Sequence, residues 1–288
     1  MTSKTNNIEK QWDLVIGSKN RLISVDLREV WRYRDLLRMF VKRDFVTYYK
    51  QTILGPIWFF IQPIFTTITY VLIFGKVAGL STDGSPQILF YLAGVTAWNY
   101  FADCLNKIST VFKDNQATFG KVYFPRLVVP LSIVLSNLLK FGIQLGLFLL
   151  TWCYYYFFEN SQIQIQIEVL LIPILIMLMA SLGLSMGMII SALTTKYRDL
   201  IFLLQFGIQL FMYVTPVIYP LSSIPAQHQW ILKLNPMTGI LEGFRYVFLG
   251  TGSFSHTLLG YTSVVTLVLL LFGVLIFNRT EKNFMDTV

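Results

Sequence analysis

Long uninterrupted apolar runs dominate the pattern of hydrophobic and polar positions along the chain. Runs of about 18 or more apolar residues with few charges are typical of membrane-spanning helices. The sequence contains six of them, named spans one to six here, at about 57–74, 88–108, 128–157, 169–193, 201–219 and 257–277. The pattern therefore predicts an all-α membrane protein with six transmembrane helices.

The segment before span one has a different pattern, in which apolar positions recur at steps of three and four residues. Its apolar positions are Leu27, Val30, Tyr33, Leu37, Val41, Phe45 and Tyr48. Basic side chains occupy the other faces, and a helix of this kind suits the membrane interface. Gly55 followed by Pro56 then suits a sharp turn into the next helix. We predict an amphipathic interface helix within residues 28–55; a juxtamembrane anchor without a mechanical role is the alternative.

Composition and charge agree with a membrane protein. The chain of 288 residues is 55% hydrophobic and 13% charged, with a mean hydropathy of +0.59, whereas a soluble domain carries about 25% charged residues. The net charge is +8, and 19 of the 23 Lys and Arg residues lie in the N-terminal segment, the loops after spans two and four, and the tail. Since positively charged loops stay in the cytoplasm, both termini, including residues 1–27, are predicted to be cytoplasmic.

Polar side chains form a stripe along span one and another along span five. The stripe in span one consists of Trp58, Gln62, Thr66 and Thr69, and the stripe in span five of Gln205, Gln209 and Tyr213. A lipid-facing amide is costly, so both stripes are expected to face protein or a wet cavity. Interhelical hydrogen bonding is one interpretation. A conduit is the other, and amides beside aromatic rings suit carbohydrate, because amides bond hydroxyls and rings cover the apolar faces of sugars.

Two further features concern packing inside the membrane. Lys140 lies deep in span three and needs a partner, and Asp103 enters span two from the same side at a comparable depth. We predict a structural Asp103–Lys140 pair; a contact between Lys140 and a substrate phosphate is the alternative. The pairs Gly142/Gly146 and Gly183/Gly187 have the spacing of close helix packing.

The segment between spans five and six is predicted to lie outside the cell, yet it is rich in apolar and aromatic residues. Asn235 suits a helix N-cap with Pro236 in the first turn, and Gly250 suits the end of that helix. Glu242 and Arg245 are spaced to pair on it. A helix that runs from Pro236 to just before Gly250 is long enough to cover only about half a bilayer. We therefore predict re-entrant half-helices at about 216–250. An ordinary outer loop is the alternative.

Signatures of catalysis are missing from the sequence. There is no G-x-x-x-x-G-K-[ST] motif for nucleotide phosphates, and His228 and His256 have no metal-ligand spacing around them. Cys104 and Cys153 both fall inside predicted spans, so a disulfide framework is not indicated either. The spans carry neither clustered carboxylates for Mg²⁺ nor the acids of a proton relay. We expect a chain that is not an enzyme and holds no metal or cofactor, so a partner must supply the energy for any uphill transport.

Five stretches carry a resemblance to a known family. In chain order they are RDFVTYYKQTILGPIWFFIQP, KVYFPRLVVPLS, TTKYRDL, TPVIYP and LNPMTGILEGFRYVFLG. Over about residues 30–278 the chain resembles the membrane subunit of type-two ABC exporters. Within them it is similar to the permeases for O-antigen and related polysaccharides, with capsule and teichoic acid permeases as relatives.

The resemblance implies a homodimer of six-span permeases in the bacterial inner membrane. Two copies of a separate ATPase subunit would bind to it and hold ATP and Mg. The substrate would be a glycan on a polyprenyl diphosphate lipid, moved from cytoplasm to periplasm, and no nucleic acid is implied. Residues 56–288 would form the transmembrane domain, with 216–250 as the periplasmic gate. A polyprenyl-phosphate-using glycosyltransferase or acyltransferase, and an ABC exporter of drugs or small lipids, remain the alternatives.

The resemblance also implies roles for particular residues. Spans one and five border the conduit in such exporters, which assigns its lining to Trp58, Phe59, Gln62, Thr66, Thr69, Gln205, Gln209 and Tyr213. The resemblance assigns attraction of the lipid diphosphate to Arg38, Lys42, Arg43 and Lys50. It assigns docking of the ATPase to Asn115, Thr118, Phe119, Lys121, Tyr123, Phe124 and Arg198.

Overall fold

The computed structural model describes residues 27–50, 53–122, 124–159, 167–197 and 199–285. These residues form helices, turns and loops and contain no β-strand. The helices, in chain order, are α1 (Leu27–Arg32), α2 (Arg34–Lys50), α3 (Trp58–Tyr70), α4 (Gln87–Ser109), α5 (Val111–Asp114), α6 (Gln116–Phe119), α7 (Val128–Phe158), α8 (Ile172–Lys196), α9 (Leu200–Val214), α10 (Gln229–Leu234), α11 (Pro236–Leu249) and α12 (His256–Met285). The all-α class predicted from the sequence is confirmed.

Five helical segments are long and apolar enough to cross a membrane. They are Gly55–Val77, Gln87–Ser109, Val128–Phe158, Ile167–Lys196 and His256–Glu281. The first includes a 3₁₀ turn before α3 and a π-helical segment, Val71–Val77, after it. A 3₁₀ turn, Ile167–Leu171, likewise precedes α8. These five correspond to spans one, two, three, four and six of the sequence prediction.

The helix corresponding to span five is shorter than predicted. α9 has 15 residues and ends at Val214, although the apolar run suggested a helix up to residue 219. Thr215 takes an extended conformation with ψ 139°, as a residue before a proline commonly does, and Pro216 cannot continue the α9 hydrogen-bond ladder. At about 1.5 Å per residue, α9 is about 22 Å long, less than the ~30 Å hydrocarbon core of a bilayer.

α4 lies at the centre of the bundle and is buried along nearly its whole length. It packs against α3, α7, α8, α9 and α11. Gly183 and Gly187 allow α8 to approach α4 closely: a Cβ atom at Gly183 would lie 2.8 Å from Cys104 Cβ, and one at Gly187 would lie 2.7 Å from Ile108 Cβ. The packing role expected from this glycine pair is confirmed. A Cβ at Gly142 or Gly146 would meet no atom within 4 Å, so the second pair makes no such contact within this chain.

The N-terminal helices lead into the bundle through a sharp turn. α1 and α2 meet at Tyr33, and α2 packs against α7. Gly55 has a φ of 52°, a left-handed conformation that glycine adopts without a steric penalty. Pro56 follows in the first turn of the next helix. The Gly-Pro break predicted between the amphipathic segment and span one is thus present in the structure.

Candidate conduit and partner-docking surfaces

The polar stripe of span one lies on the outer face of α3. Trp58 and Phe65 are at least half exposed, Gln62 and Thr69 are exposed, and Thr66 is half-buried. Thr66 Oγ1 donates a hydrogen bond to Gln62 O at 2.9 Å, and Thr69 Oγ1 donates one to Phe65 O at 2.8 Å. An open groove of about 570 Å³ runs along this face beside Trp58, Gln62 and Thr66.

The stripe of span five is arranged in the same way on α9. Gln205, Gln209 and Tyr213 are exposed. Both helices pack against α4, and Tyr70 Oη of the α3 end lies 3.5 Å from Met212 Sδ of α9. The two polar faces therefore belong to neighbouring parts of the bundle.

Hydrogen bonding between helices of one chain does not account for these amides. Within the described residues, the side chains of Gln62, Gln205 and Gln209 form no hydrogen bond to another helix. Phe59 differs from the other residues assigned to the lining, because it is 5% exposed and packs on Phe45 with 6.3 Å between ring centroids. It supports the turn between α2 and α3 and does not reach the outer face.

The loop assigned to ATPase docking comprises α5, α6 and the residues up to Arg126. Lys121 and Val122 at its tip are exposed, as are Lys113 and Gln116. Asn115 and Thr118 are half-buried, and the Asn115 side chain donates to Val111 O at 3.0 Å. Tyr123 and Arg198 lie outside the described residues. The exposed side chains offer a partner a cationic and polar surface.

Phe119 and Phe124 do not belong to that exposed surface, which corrects the sequence assignment. They are 2% and 4% exposed, because they pack in an aromatic cluster beneath the loop. The cluster consists of Phe40 from α2, Phe112, Phe119 and Phe124 from the loop, and Phe277 from α12. These rings tie α2, the loop and α12 together.

Arg126 adds a polar connection at the same place. Its Nη1 donates to Glu281 O at 2.9 Å, and its guanidinium lies 5.2 Å from the centroid of the Phe119 ring. Burial lowers the pKa of Arg126, and the Glu281 carboxylate partly opposes that shift. Sequence reasoning counted Arg126 only as a cytoplasmic charge, because nothing in its local pattern signals a partner 155 positions away.

The cations assigned to lipid-diphosphate attraction fall into two groups. Arg38 and Lys42 line an open groove between α2 and α7, whereas Arg43 bonds Asp44 at 2.9 Å and lies 4.7 Å from the centroid of Phe40. Lys50 is exposed at the C-terminal end of α2. The helix thus presents some of these charges outward and uses Arg43 for its own packing.

The structure brings Asp103 and Lys140 together. Lys140 Nζ lies 2.6 Å from Asp103 Oδ2. Close by, Lys107 Nζ donates to Asn137 Oδ1 at 3.1 Å, and Asn137 Nδ2 donates to Cys104 Sγ at 3.6 Å, so several polar contacts join α4 and α7. Sequence reasoning placed Lys107 in a cytoplasmic loop, whereas α4 continues to Ser109 and buries most of it.

α11, in the predicted gate segment, is buried on nearly every side. The Asn235 side chain accepts from Met237 N, Pro236 occupies the first turn, and Gly250 ends the helix with a φ of 69°; these three predictions are confirmed. Glu242 and Arg245 also pair, with 3.7 Å between Arg245 Nη1 and Glu242 Oε1. α11 packs against α4, α8 and α12, so it is enclosed by the bundle.

Among the described residues, no group of three or more His, Cys, Asp and Glu side chains is arranged to hold a metal ion. The features that remain are exposed amides and aromatic rings on α3 and α9, a basic α2, and a loop supported by aromatic residues.

Comparison with known proteins gives a family match and several relatives. Residues 35–249 match the family described as ABC-2 type transporter. The chain is similar to the O-antigen export system permease protein RfbA of Myxococcus xanthus, at 28% identity over 91% of this chain and 98% of that protein. It is 26% identical to the protein of the same name from Klebsiella pneumoniae, over 88% and 94% of the two chains. The polysialic acid transport protein KpsM of Escherichia coli is 23% identical over 83% and 91%.

Proposed function

Because the chain belongs to the ABC-2 type transporter family, we propose that it is the permease subunit of an ATP-driven polysaccharide exporter. Its substrate is an O-antigen-like glycan linked to polyprenyl diphosphate, which moves from the cytoplasm to the periplasm. The names of the relatives, O-antigen export permeases and a polysialic acid transport protein, support this class of substrate. Two copies of a separate ATPase subunit bind ATP and Mg and drive the transport.

The proposed topology has six spans in the bacterial inner membrane with both termini in the cytoplasm. α9 is the fifth span, extended toward the periplasmic surface by the turns after Val214. α10 and α11 form the re-entrant gate. Non-helical and half-spanning backbone is tolerated at membrane depth only where protein or a water-filled cavity surrounds it, and the burial of α11 against α4, α8 and α12 supports this arrangement.

The observation that carries the conduit proposal is the exposure of amide side chains on two otherwise apolar helices. Gln62 on α3 and Gln205 and Gln209 on α9 face outward from the chain. In contact with acyl tails each of these amide side chains would lose its hydrogen bonds to water, which costs about 2–7 kcal/mol per amide. A homodimer that places these faces around a hydrated passage removes that cost. The exposed rings of Trp58 and Tyr213 then cover the apolar faces of passing sugars.

Coupling to ATP hydrolysis runs through the loop formed by α5 and α6. Closure of the ATPase subunits pushes on the exposed residues of this loop and on α2. The contact between Phe40 of α2 and Phe124 of the loop, with 5.9 Å between ring centroids, makes the two elements move as one body. Their displacement separates α3 and α9 of the two protomers and opens the passage.

The test replaces conduit amides by bulky apolar residues and follows the glycan at the cell surface. Gln62→Phe and Gln209→Phe narrow the passage and remove hydroxyl partners, so export is expected to fall about tenfold or more when the pair is combined, equivalent to a loss of ~1.4 kcal/mol. Leu267→Phe on the exposed face of α12 is the matched control. Normal surface glycan in the double variant, at equal membrane abundance, would refute the lining assignment.

A capsule or teichoic acid glycan is the second candidate substrate. Between these two glycans, the similarity to the polysialic acid transport protein over 83% of this chain favours the capsule glycan over the teichoic acid glycan. Depletion of the permease distinguishes the candidates, because the glycan that accumulates in the cytoplasm identifies the substrate.

A further inference from the structure

An open groove of about 420 Å³ lies between α2 and α7, and it shares no lining residue with the groove along the α3 stripe. We call it the α2–α7 groove. Its lining consists of Leu37, Arg38, Val41, Lys42 and Phe45 from α2 and of Leu135, Leu138 and Leu139 from α7. Leu135 and Leu139 are at least 40% exposed, so the floor of the groove remains accessible within the chain.

The groove has two chemically distinct parts. Arg38 and Lys42 are one helical turn apart and stand on the same side of α2, and both are exposed. The remaining lining residues are aliphatic or aromatic. A cationic rim above an apolar floor matches a molecule that joins a negatively charged head to a hydrocarbon chain.

Acidic side chains near the rim do not neutralise it. Asp35 lies 3.4 Å from Arg38, but both side chains are at least 75% exposed, and such a pair contributes little. Asp44 is engaged by Arg43, which turns toward Phe40. No acidic residue is among the described residues that line the groove. The rim therefore keeps the positive charge that would attract an anion.

We propose that the α2–α7 groove binds an anionic glycerophospholipid of the bilayer. The phosphate contacts Arg38 and Lys42, and one acyl chain lies along the leucines of α7. Charge complementarity favours this occupant, because a neutral lipid would leave the cationic rim unpaired and a soluble anion would leave the apolar floor exposed to water. The bound lipid fills the space between α2 and α7 and holds the interface helix in place. This proposal does not depend on which substrate the permease carries.

The first test removes the cationic rim and measures retained lipid. The full-length protein is reconstituted in nanodiscs of phosphatidylglycerol and phosphatidylcholine, released into mild detergent, and analysed by native mass spectrometry. Arg38→Gln with Lys42→Gln is expected to reduce bound phosphatidylglycerol about tenfold or more, since each cation near anionic lipid contributes about fivefold. The control, Arg32→Gln with Arg34→Gln, removes the same charge from exposed positions outside the groove.

The second test fills the apolar floor without changing any charge. Leu139→Trp is expected to lower the retention of phosphatidylglycerol about fivefold or more, whereas Leu193→Trp, at a similarly exposed position on α8, leaves it unchanged. Glycerophosphoglycerol, which has the head group and no acyl chains, is expected not to displace the bound lipid.

Three results would overturn the proposal. The first is equal retention of phosphatidylglycerol in the rim variant and its control. The second is displacement by glycerophosphoglycerol as effective as displacement by phosphatidylglycerol, which would mean a plain anion site. The third is displacement by a polyprenyl diphosphate at much lower concentration than by phosphatidylglycerol, which would assign the groove to a different lipid.

Discussion

Arg245 shows how one residue can organise a segment that has little regular structure. Its Nη1 donates to Pro216 O at 2.7 Å and its Nη2 to Val217 O at 2.5 Å, while the guanidinium lies 3.7 Å from the centroid of the Phe90 ring. Glu242, its ion-pair partner, also accepts from Leu221 N and Ser253 N. The pair thus connects α11 with α4, with the turns at residues 216–221 and with the loop after α11.

Removing this charge should loosen the gate segment. Arg245→Met leaves three carbonyl groups and the Glu242 carboxylate without the guanidinium, in a site where Arg245 and Glu242 are 1% exposed. Breaking a buried pair in this way costs about 3–5 kcal/mol, so the midpoint of thermal unfolding in detergent is expected to fall clearly. Lys233→Met, at an exposed cation on α10, is the control. Equal unfolding midpoints in the two variants would show that the guanidinium network does not stabilise the fold.

At the scale of elements, the bundle depends on how closely α4 and α8 approach. Gly183 and Gly187 face Cys104 and Ile108 at distances that leave no room for a Cβ atom. Gly142 and Gly146 have the same spacing on α7 but open surroundings. Identical sequence motifs therefore have different structural roles, because only one of them faces a neighbouring helix of the chain.

Alanine substitutions separate these roles. Gly183→Ala places a methyl group 2.8 Å from Cys104 Cβ and 3.2 Å from Phe101 O, and overpacking of this kind costs about 1–3 kcal/mol. Gly142→Ala meets no atom and gains about 0.5–1 kcal/mol from the helix preference of alanine. Thermal unfolding should therefore move down for Gly183→Ala and stay level or rise for Gly142→Ala. A common shift for both variants would contradict the close α4–α8 contact.

The loop formed by α5 and α6 has a buried aromatic base and an exposed polar surface. Phe112, Phe119 and Phe124 are buried beneath it, while Lys113, Gln116, Lys121 and Val122 are exposed. A partner that docks here meets polar and basic side chains held by an aromatic base.

Charge reversal at the tip tests docking without disturbing that base. If the exposed basic tip docks on an acidic surface of the ATPase subunit, Lys121→Glu opposes like charges there, and copurification of that subunit is expected to weaken by about tenfold or more. Thermal unfolding of the permease alone should not change. Lys76→Glu, an exposed cation at the end of the first span, serves as the control on the opposite side of the proposed topology. Full recovery of the ATPase subunit with the Lys121→Glu variant would show that this loop tip is not part of the docking surface.

At the scale of the whole molecule, the described residues leave the amide-bearing faces of α3 and α9 uncovered. Amides at such positions in a membrane need water or protein in front of them. A second copy related by a twofold axis would meet that need with the same surfaces, which is the physical reason for the proposed dimer.

Cross-linking tests which face lies between the copies. In a Cys153→Ser background, the remaining native cysteine, Cys104, is buried. Phe206→Cys on the exposed side of α9 is expected to give a covalent dimer with a flexible bis-maleimide in membranes. Leu267→Cys on α12, also exposed, should remain a monomer. Cross-linking through Leu267→Cys but not through Phe206→Cys would place the partner on the wrong side of the bundle for a conduit.

Much of the fold follows from local pattern. Apolar runs predicted the five long helices, and Asn235, Pro236 and Gly250 predicted the bounds of α11, because caps and breakers act within one or two turns of chain. The end of α9 was missed, since hydrophobicity continues past Val214 while Pro216 stops the helix. The apolar run favours a longer helix there, whereas the backbone restriction imposed by Pro216 favours an end at Val214. The restriction imposed by the proline decides where α9 ends.

The sequence by itself determined that this chain forms membrane-spanning helices. Its charge content is too low for a water-exposed surface, and its apolar runs are long enough to cross a bilayer. It also determined the helix ends that caps and Gly-Pro pairs specify. Only the tertiary structure decided that Phe119 and Phe124 are buried, that Arg126 reaches Glu281, and that Arg38 and Lys42 stand over an apolar groove. Contacts between residues distant along the chain depend on how whole helices pack, and no local pattern encodes that packing.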